Sequence, residues 1–171
     1  GTTEGPGERD LESLEHEVAE GRIDTVITAF PDLYGRLIGK RIHGRFFLDE
    51  VASHGMHACD YVLACDMEMD PTPGYAFTSW ETGYGDLHAM PDTRTLRHAA
   101  WLERTALVLC DAVHEEGGQP IEIAPRTILA RQLERAAERG LFPLMGSELE
   151  FFLFCDDYRE ARQKGWRNLE Q

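Results

Sequence analysis

The chain has 171 residues, 42% hydrophobic, 9% aromatic and 28% charged, an ordinary balance for a soluble globular domain or for one small domain joined to part of another. A formal net charge of −14 argues against a nucleic-acid partner, because that affinity rests on Lys and Arg neutralising phosphates. No apolar run is long enough to span a bilayer, so no membrane partner is expected.

Residues 1–10, "GTTEGPGERD", lack the basic start and apolar centre of a signal peptide and read as a flexible leader. Cys59, Cys65, Cys110 and Cys155 form no Cys-x-x-Cys pair and read as reduced packing residues of a cytoplasmic protein. "DLESLEHEVAEG" places Leu11, Leu14 and Val18 at helical spacing, with Asp10 to cap the start and Gly21 to end it. "RIDTVITAF", "PDLYG" and "RLIGKRI" predict a hairpin, and "GRFFLDEVASHG" a helix with Phe47 and Val51 on one face and Gly55 as its stop. Cys59 to Asp66 reads as a strand, followed by a loop over 67–92 rich in Gly, Pro and acids. A loop of that length implies a function. "RTALVLCDAV" reads as a buried strand and "HEEGGQP" as a turn. "PRTILARQLERAAERG" is the clearest helix, with Leu129, Leu133 and Ala136 or Ala137 on one stripe and Gly140 closing it.

"GSELEFFLF", residues 146–154, then reads as a buried strand, before a polar, partly helical tail. Alternation puts Glu148, Glu150, Phe152 and Phe154 on one face, with the two glutamates roughly 6.6 Å apart. Like charges that close repel unless a cation sits between them or one is protonated. Three readings follow: a solvated edge strand, a glycosidase-like acid and base pair, or ligands for neighbouring divalent cations. A strand this apolar also expects cover on both faces, which the short tail does not supply, so the chain reads as the N-terminal part of a longer protein. His54, His57, Cys59, Asp60 and Cys65 invite a zinc reading, but their spacing lacks the paired two-residue gaps of structural zinc sites.

Taken in order, "GYGDLHAMPDTRTLR", "WLERTALVLCDAVHEEGGQPIEIAPRTILARQLERAAERG" and "GSELEFFLF" resemble the glutamine synthetase family, over about Ile23 to Phe154. The resemblance implies an α+β architecture: an N-terminal β-grasp domain over about 11–110, then over 111–171 the first strand, helix and strand of an incomplete catalytic α/β domain. It implies an ATP-dependent ligase joining ammonia or an amine to the γ-carboxyl of glutamate through a γ-glutamyl phosphate. It also implies two Mg2+ or Mn2+ ions, with Glu150 on the glutamate-side metal and Glu148 on the one beside the ATP phosphates. Family members are ring-shaped homo-oligomers with intersubunit active sites.

The family's aspartate that helps deprotonate ammonium sits in an Asp-Gly-Ser-Ser pattern that is absent here. Asp66 is the first candidate for that role and Asp60 the second, while Asp86 resembles the aspartate that latches the loop. The altered loop points to relatives that use larger amines such as polyamines or ethanolamine. The alternative is a non-catalytic structural or assembly protein of the same fold. The 171-residue chain by itself is expected to be inactive.

Overall fold

The computed structural model describes residues 10–171; the expected leader, apart from Asp10, lies outside the described residues. The first helix, Leu11–Ala19, starts where the Asp10 carboxylate accepts the Ser13 N–H at 2.7 Å, and the chain turns out of it at Gly21, φ +71°. The hairpin follows, β1 (Thr25–Pro31) against β2 (Leu37–His43), antiparallel from Thr25↔His43 to Pro31↔Leu37. The chain is then helical through Gly44–Phe46, a π-type turn at Phe47–Val51 and Ala52–His54, which buries Phe47 and Val51 as the spacing predicts. Gly55 ends it at φ +73°, and a side chain there would meet Met90 and the Ala89 carbonyl.

Three further strands complete one sheet: β3 (Met56–Cys59), β4 (Asp86–His98) and β5 (Thr105–His114), in the order β2-β1-β5-β4-β3. All neighbours are antiparallel except β1 and β5, which run parallel from Thr25↔Thr105 to Ala29↔Leu109. Val26 and Phe30 of β1, with Leu87, Leu96 and Val108, face Leu14, Phe47 and Val51 of the helical segments and form the main core. That core extends past β5 to Ile121 and Ala124. The opposite face carries only a small cluster of Ala29, Ala99 and Leu107.

Two elements differ from the sequence reading. The expected strand from Cys59 to Asp66 ends at Cys59, and Asp60–Leu63 is a 3-10 turn. Val62, Leu63, Ala64 and Cys65 are all buried, so the turn presents the continuous apolar run of an interior strand without pairing as one. The loop, expected to reach residue 92, stops before Asp86, where β4 begins. β4 escapes periodicity because its register shifts between Asp92 and Arg97. There Thr95 Oγ1 donates to the Asp92 carbonyl at 2.7 Å and accepts the Leu109 N–H at 2.8 Å, standing in for the interrupted ladder.

The turn between β1 and β2 is organised by one buried carboxylate. Asp32, 2% exposed, accepts the backbone N–H groups of Tyr34 and Arg36 at 2.9 and 2.8 Å and the Arg36 Nε–H at 2.7 Å. Burial pushes its pKa up, but the Arg36 side chain and the backbone donors outweigh this and hold it below the usual carboxylate value. A depressed folded-state pKa contributes stability above the unfolded value of about 3.9, and that contribution is lost as pH falls through the lower folded value. Asp32→Asn should therefore lower stability by about 1.5–3 kcal/mol at neutral pH, the range for hydrogen bonds to charged groups. Denaturant midpoints for the two proteins should converge as pH is lowered below about 4, where the unfolded-state carboxyl protonates first and the folded one only at lower pH; a gap of constant size across that range would contradict this assignment.

Candidate functional site

Residues 64–85 connect the 3-10 turn to β4 and carry the acid-rich sequence singled out above. Three attachments hold them. At the base, Asp60 accepts the Thr78 hydroxyl at 2.8 Å on one oxygen and the Gly85 N–H at 3.2 Å on the other, while its own N–H bonds the Gly85 carbonyl at 3.0 Å. At the near end, Asp66 Oδ1 accepts the N–H groups of Glu68 and Asp70 at 2.8 and 3.1 Å, closing a tight turn in which Met69 adopts φ +70°. From across the sheet, Arg36 donates to the carbonyls of Asp66 and Met67 at 3.0 and 2.6 Å while its Nε stays on Asp32. The hairpin turn and the loop are thus one electrostatic unit.

The three aspartates differ in what they have left to offer. Both Asp60 oxygens are engaged inside the protein, so Asp60 fastens the loop. Asp66 spends Oδ1 on its turn, and Oδ2 takes no hydrogen bond among the described residues. Asp86, the first residue of β4, is exposed, and neither of its carboxylate oxygens is bonded among the described residues. The loop also displays Trp80, 82% exposed, edge-on to Tyr84 at 6.2 Å.

The zinc cluster does not assemble. Asp60 is committed to the loop, the Cys65 thiol donates to the Tyr61 carbonyl at 3.2 Å, and His54 folds back on Glu50 and Ser53 at its helix end. All four cysteines are free, with Cys65 and Cys110 buried, Cys59 partly so and Cys155 exposed. Burial, reinforced by Asp111, pushes the Cys110 thiol up to about 12, which makes it an inert packing group.

Glu148 and Glu150 stand apart from the loop, and here the expected strand is corrected. Residues 141–154 form no strand, and both glutamates are exposed. Phe151, Phe152 and Leu153 are each more than 70% exposed. The physical reason is pairing: a strand exists only beside a neighbour that completes its ladder, and β2-β1-β5-β4-β3 gives it none. The stripe of the preceding helix, Pro125–Ala137, is likewise uncovered, with Leu129 at 50% and Leu133 at 41%. The tail supplies one short capped helix, Tyr158–Gln163, as expected. Among the described residues no group of three or more His, Cys, Asp or Glu is gathered to hold an ion. Glu148 and Glu150 have the hard oxygen chemistry that Mg2+ or Mn2+ requires, but each ion takes about six ligands, so they fit as part of a donor set.

One residue that the sequence reading quoted without a role joins the two parts of the chain. Arg126, at the start of the long helix, donates to Asp92 of β4 at 2.8 Å and to Asp111 of β5 at 2.7 Å. Asp92 is held low first by Arg94 and then, against burial, by Arg126. The only sequence signal was the Pro-Arg pair at a helix start, which says nothing of which acids lie opposite.

Comparison with known proteins decides the family. Residues 122–171, which contain Arg126, Glu148 and Glu150, match the family model described as glutamine synthetase, catalytic domain. The chain is 49% identical over 159 residues to the gamma-glutamylethanolamide synthetase GlnA4 of Streptomyces coelicolor, covering 93% of this chain and 34% of that protein. This chain belongs to the glutamine synthetase family. It is also 31% identical over 152 residues to a glutamate–isopropylamine ligase of a Pseudomonas species, covering 89% of this chain and 33% of that one. A solved GmaS/ADP complex superposes with a TM-score of 0.55 at 27% identity, over 74% of this chain and 26% of that chain. The chain thus spans about a third of the length of the curated relatives it matches. No helix among the described residues is long and apolar enough to cross a membrane.

The Asp60 staple is open to test. Asp60→Ala should cost about 1–3 kcal/mol, the range for stranding buried donors, and should speed hydrogen exchange at Gly85 while leaving β1 and β5 protected. Combined with Thr78→Val it should cost less than the two changes summed, because both remove the same bond. Strict additivity would show that the two side chains act independently.

Proposed function

We propose that this chain supplies a β-grasp domain, residues 11–110, and the first part of the catalytic domain, residues 111–171, of a ligase that forms a γ-glutamyl amide from glutamate, ATP and a small primary amine. The first candidate amine is ethanolamine. The observation that carries the reading is the 49% identity, extending over nearly the whole chain, to a protein named for γ-glutamylethanolamide synthesis. The hairpin, the helical crossover and a last strand lying parallel to the first support the β-grasp assignment. The full protein is a cytoplasmic homo-oligomer in this reading, and the active site lies where the loop 64–85 of one subunit meets the catalytic domain of the next.

The chemistry proceeds in two transfers. The γ-carboxylate of glutamate attacks the terminal phosphorus of ATP, releasing ADP and forming γ-glutamyl phosphate; the amine then attacks the acyl carbon and phosphate leaves. Glu148 and Glu150 would be among the ligands of two divalent ions, which would supply charge neutralisation at the phosphate oxygens. An amine reaches the site as an ammonium and must lose a proton before it is nucleophilic. Asp66 is the residue for that task, since Oδ2 is unbonded while Oδ1 is fixed by two backbone donors. The apolar surface of 141–154 and the stripe of helix Pro125–Ala137 are covered by the remaining catalytic domain, and that burial restores "GSELEFFLF" to a strand.

A scaffold of the same fold would have no use for paired acids on an apolar segment, so the test begins there. In the full-length protein, Glu148→Ala and Glu150→Ala should each weaken Mn2+ binding measured directly by electron paramagnetic resonance and abolish amide formation. Asp66→Asn should slow the reaction about a hundredfold at neutral pH, within the usual range for general-base loss, and recover as rising pH frees the amine. Ethanolamine should outcompete ammonia as acceptor, and the 171-residue chain should make no amide. Unchanged Mn2+ affinity in both glutamate variants would overturn the metal assignment, and amide formation by the chain alone would overturn the shared-site reading.

A further inference from the structure

The sheet stops just short of closing on itself. Its two edge strands, β2 and β3, face one another without sharing a ladder; Lys40 Nζ of β2 donates to the His57 carbonyl of β3 at 2.6 Å, and behind it the Thr28 hydroxyl of β1 meets the Met56 sulfur of β3 at 2.9 Å. Between them lies a cleft of about 300 Å3 whose floor is Phe30, Ile38, Met56 and Val62. Gly39 forms part of the wall, where any side chain would collide with the Thr28 carbonyl, so the strand backbone itself lines the opening. Two opposite charges stand among the lining residues. Lys40 commits one of its three N–H donors to His57 and keeps two, and the Asp86 carboxylate has no partner among the described residues.

An apolar floor with a few polar groups is the usual composition of a small-molecule site. Here the charges also select the ligand. Asp86 repels a simple anion, Lys40 repels a simple cation, and a neutral apolar molecule leaves both charges unpaired. We propose that the cleft between β2 and β3 binds a free α-amino acid with an uncharged, apolar side chain: its carboxylate on Lys40, its ammonium on Asp86 and its side chain on Phe30, Ile38, Met56 and Val62. Its lining includes none of the residues assigned above to the metals or to amine deprotonation, so the proposal stands whether or not the ligase reading holds. It lies at the root of the loop, because Asp86 directly follows Gly85, which Asp60 holds by backbone and side chain. Occupancy therefore acts on the segment that carries Asp66 and Trp80.

The test is a titration of the isotopically labelled chain followed by amide chemical shifts, with three probes: L-leucine, 3-methylbutylamine, which lacks the carboxylate, and 4-methylpentanoate, which lacks the ammonium. L-leucine should shift Ile38, Lys40, Ala58, Val62 and Asp86 saturably, and each single-charge analogue should bind about tenfold more weakly or worse, the equivalent of one charge-assisted hydrogen bond. Asp86→Asn should lower leucine affinity to that of 4-methylpentanoate while leaving 4-methylpentanoate itself no weaker, a pattern that misfolding does not produce. Lys40→Met should do the same for 3-methylbutylamine. Equal shifts with all three probes, L-glutamate binding as well as L-leucine, or no saturable shift in the cleft would overturn the proposal.

Discussion

The parallel pairing of β1 with β5 is the constraint from which the rest of the architecture follows. Two parallel strands cannot be joined by a tight turn, so the chain must leave β1 at one end of the sheet and return to the other before β5 can begin. Everything between residues 31 and 105 lies within that excursion: β2 folds back on β1, the helical segment crosses over the core, and β3 and β4 return as an antiparallel pair beside β5. With β1 and β5 in the middle, β2 and β3 become the edges. The cleft between them and the loop 64–85 are both consequences of an excursion that places its two hairpin-like arms at opposite margins.

In a chain with 31 acidic residues against 17 Lys and Arg, the few cations that are fixed carry disproportionate structural weight. Arg36 ties the β1–β2 turn to the loop, Lys40 ties β2 to β3, and Arg126 ties the long helix to β4 and β5. Each joins segments far apart in sequence, and each acts through backbone carbonyls or partly buried acids, where the pair is less screened than at an open surface. Of the remaining acids some are spent on caps and turns, as Asp10 and Asp60 are, and others are surplus to folding. That surplus distinguishes Asp66 and Asp86 from Asp60: a carboxylate whose oxygens are consumed by the fold has nothing to present to a ligand.

The elements legible in the sequence are those whose signal is local. Asp10 and Gly21 bracket the first helix, Pro-Asp-Leu-Tyr-Gly marks the hairpin, and Phe47 with Val51 gives away the crossover helix. β4 was hidden because Pro91, Asp92 and Arg94 are turn-forming or polar types at a bulge, and only their partners on β5 make them a strand. The turn at Asp60–Leu63 misleads in the opposite sense, its side chains being buried by the core that surrounds it. For the site, residue types were readable and commitments were not. Nothing in the order of residues says that Thr78 and Gly85 consume Asp60 while Asp86 is left free.

The Glu-x-Glu segment shows why local propensity and structure part company. "ELEFFLF" has every preference of an interior strand, yet it lies extended and solvated, because a strand's hydrogen bonds and its apolar cover both come from other parts of a chain. Its exposed phenylalanines and the uncovered stripe of helix Pro125–Ala137 are two apolar faces that one layer of structure would cover together. Closing that layer over Glu148 and Glu150 would bury two like charges 6.6 Å or so apart, a cost that desolvation and mutual repulsion both raise. A divalent ion at each carboxylate would offset both effects. Were the two ions proposed above held there, metal binding and completion of the strand would be a single equilibrium, because a donor set that is unformed in the open segment forms only as the metal binds.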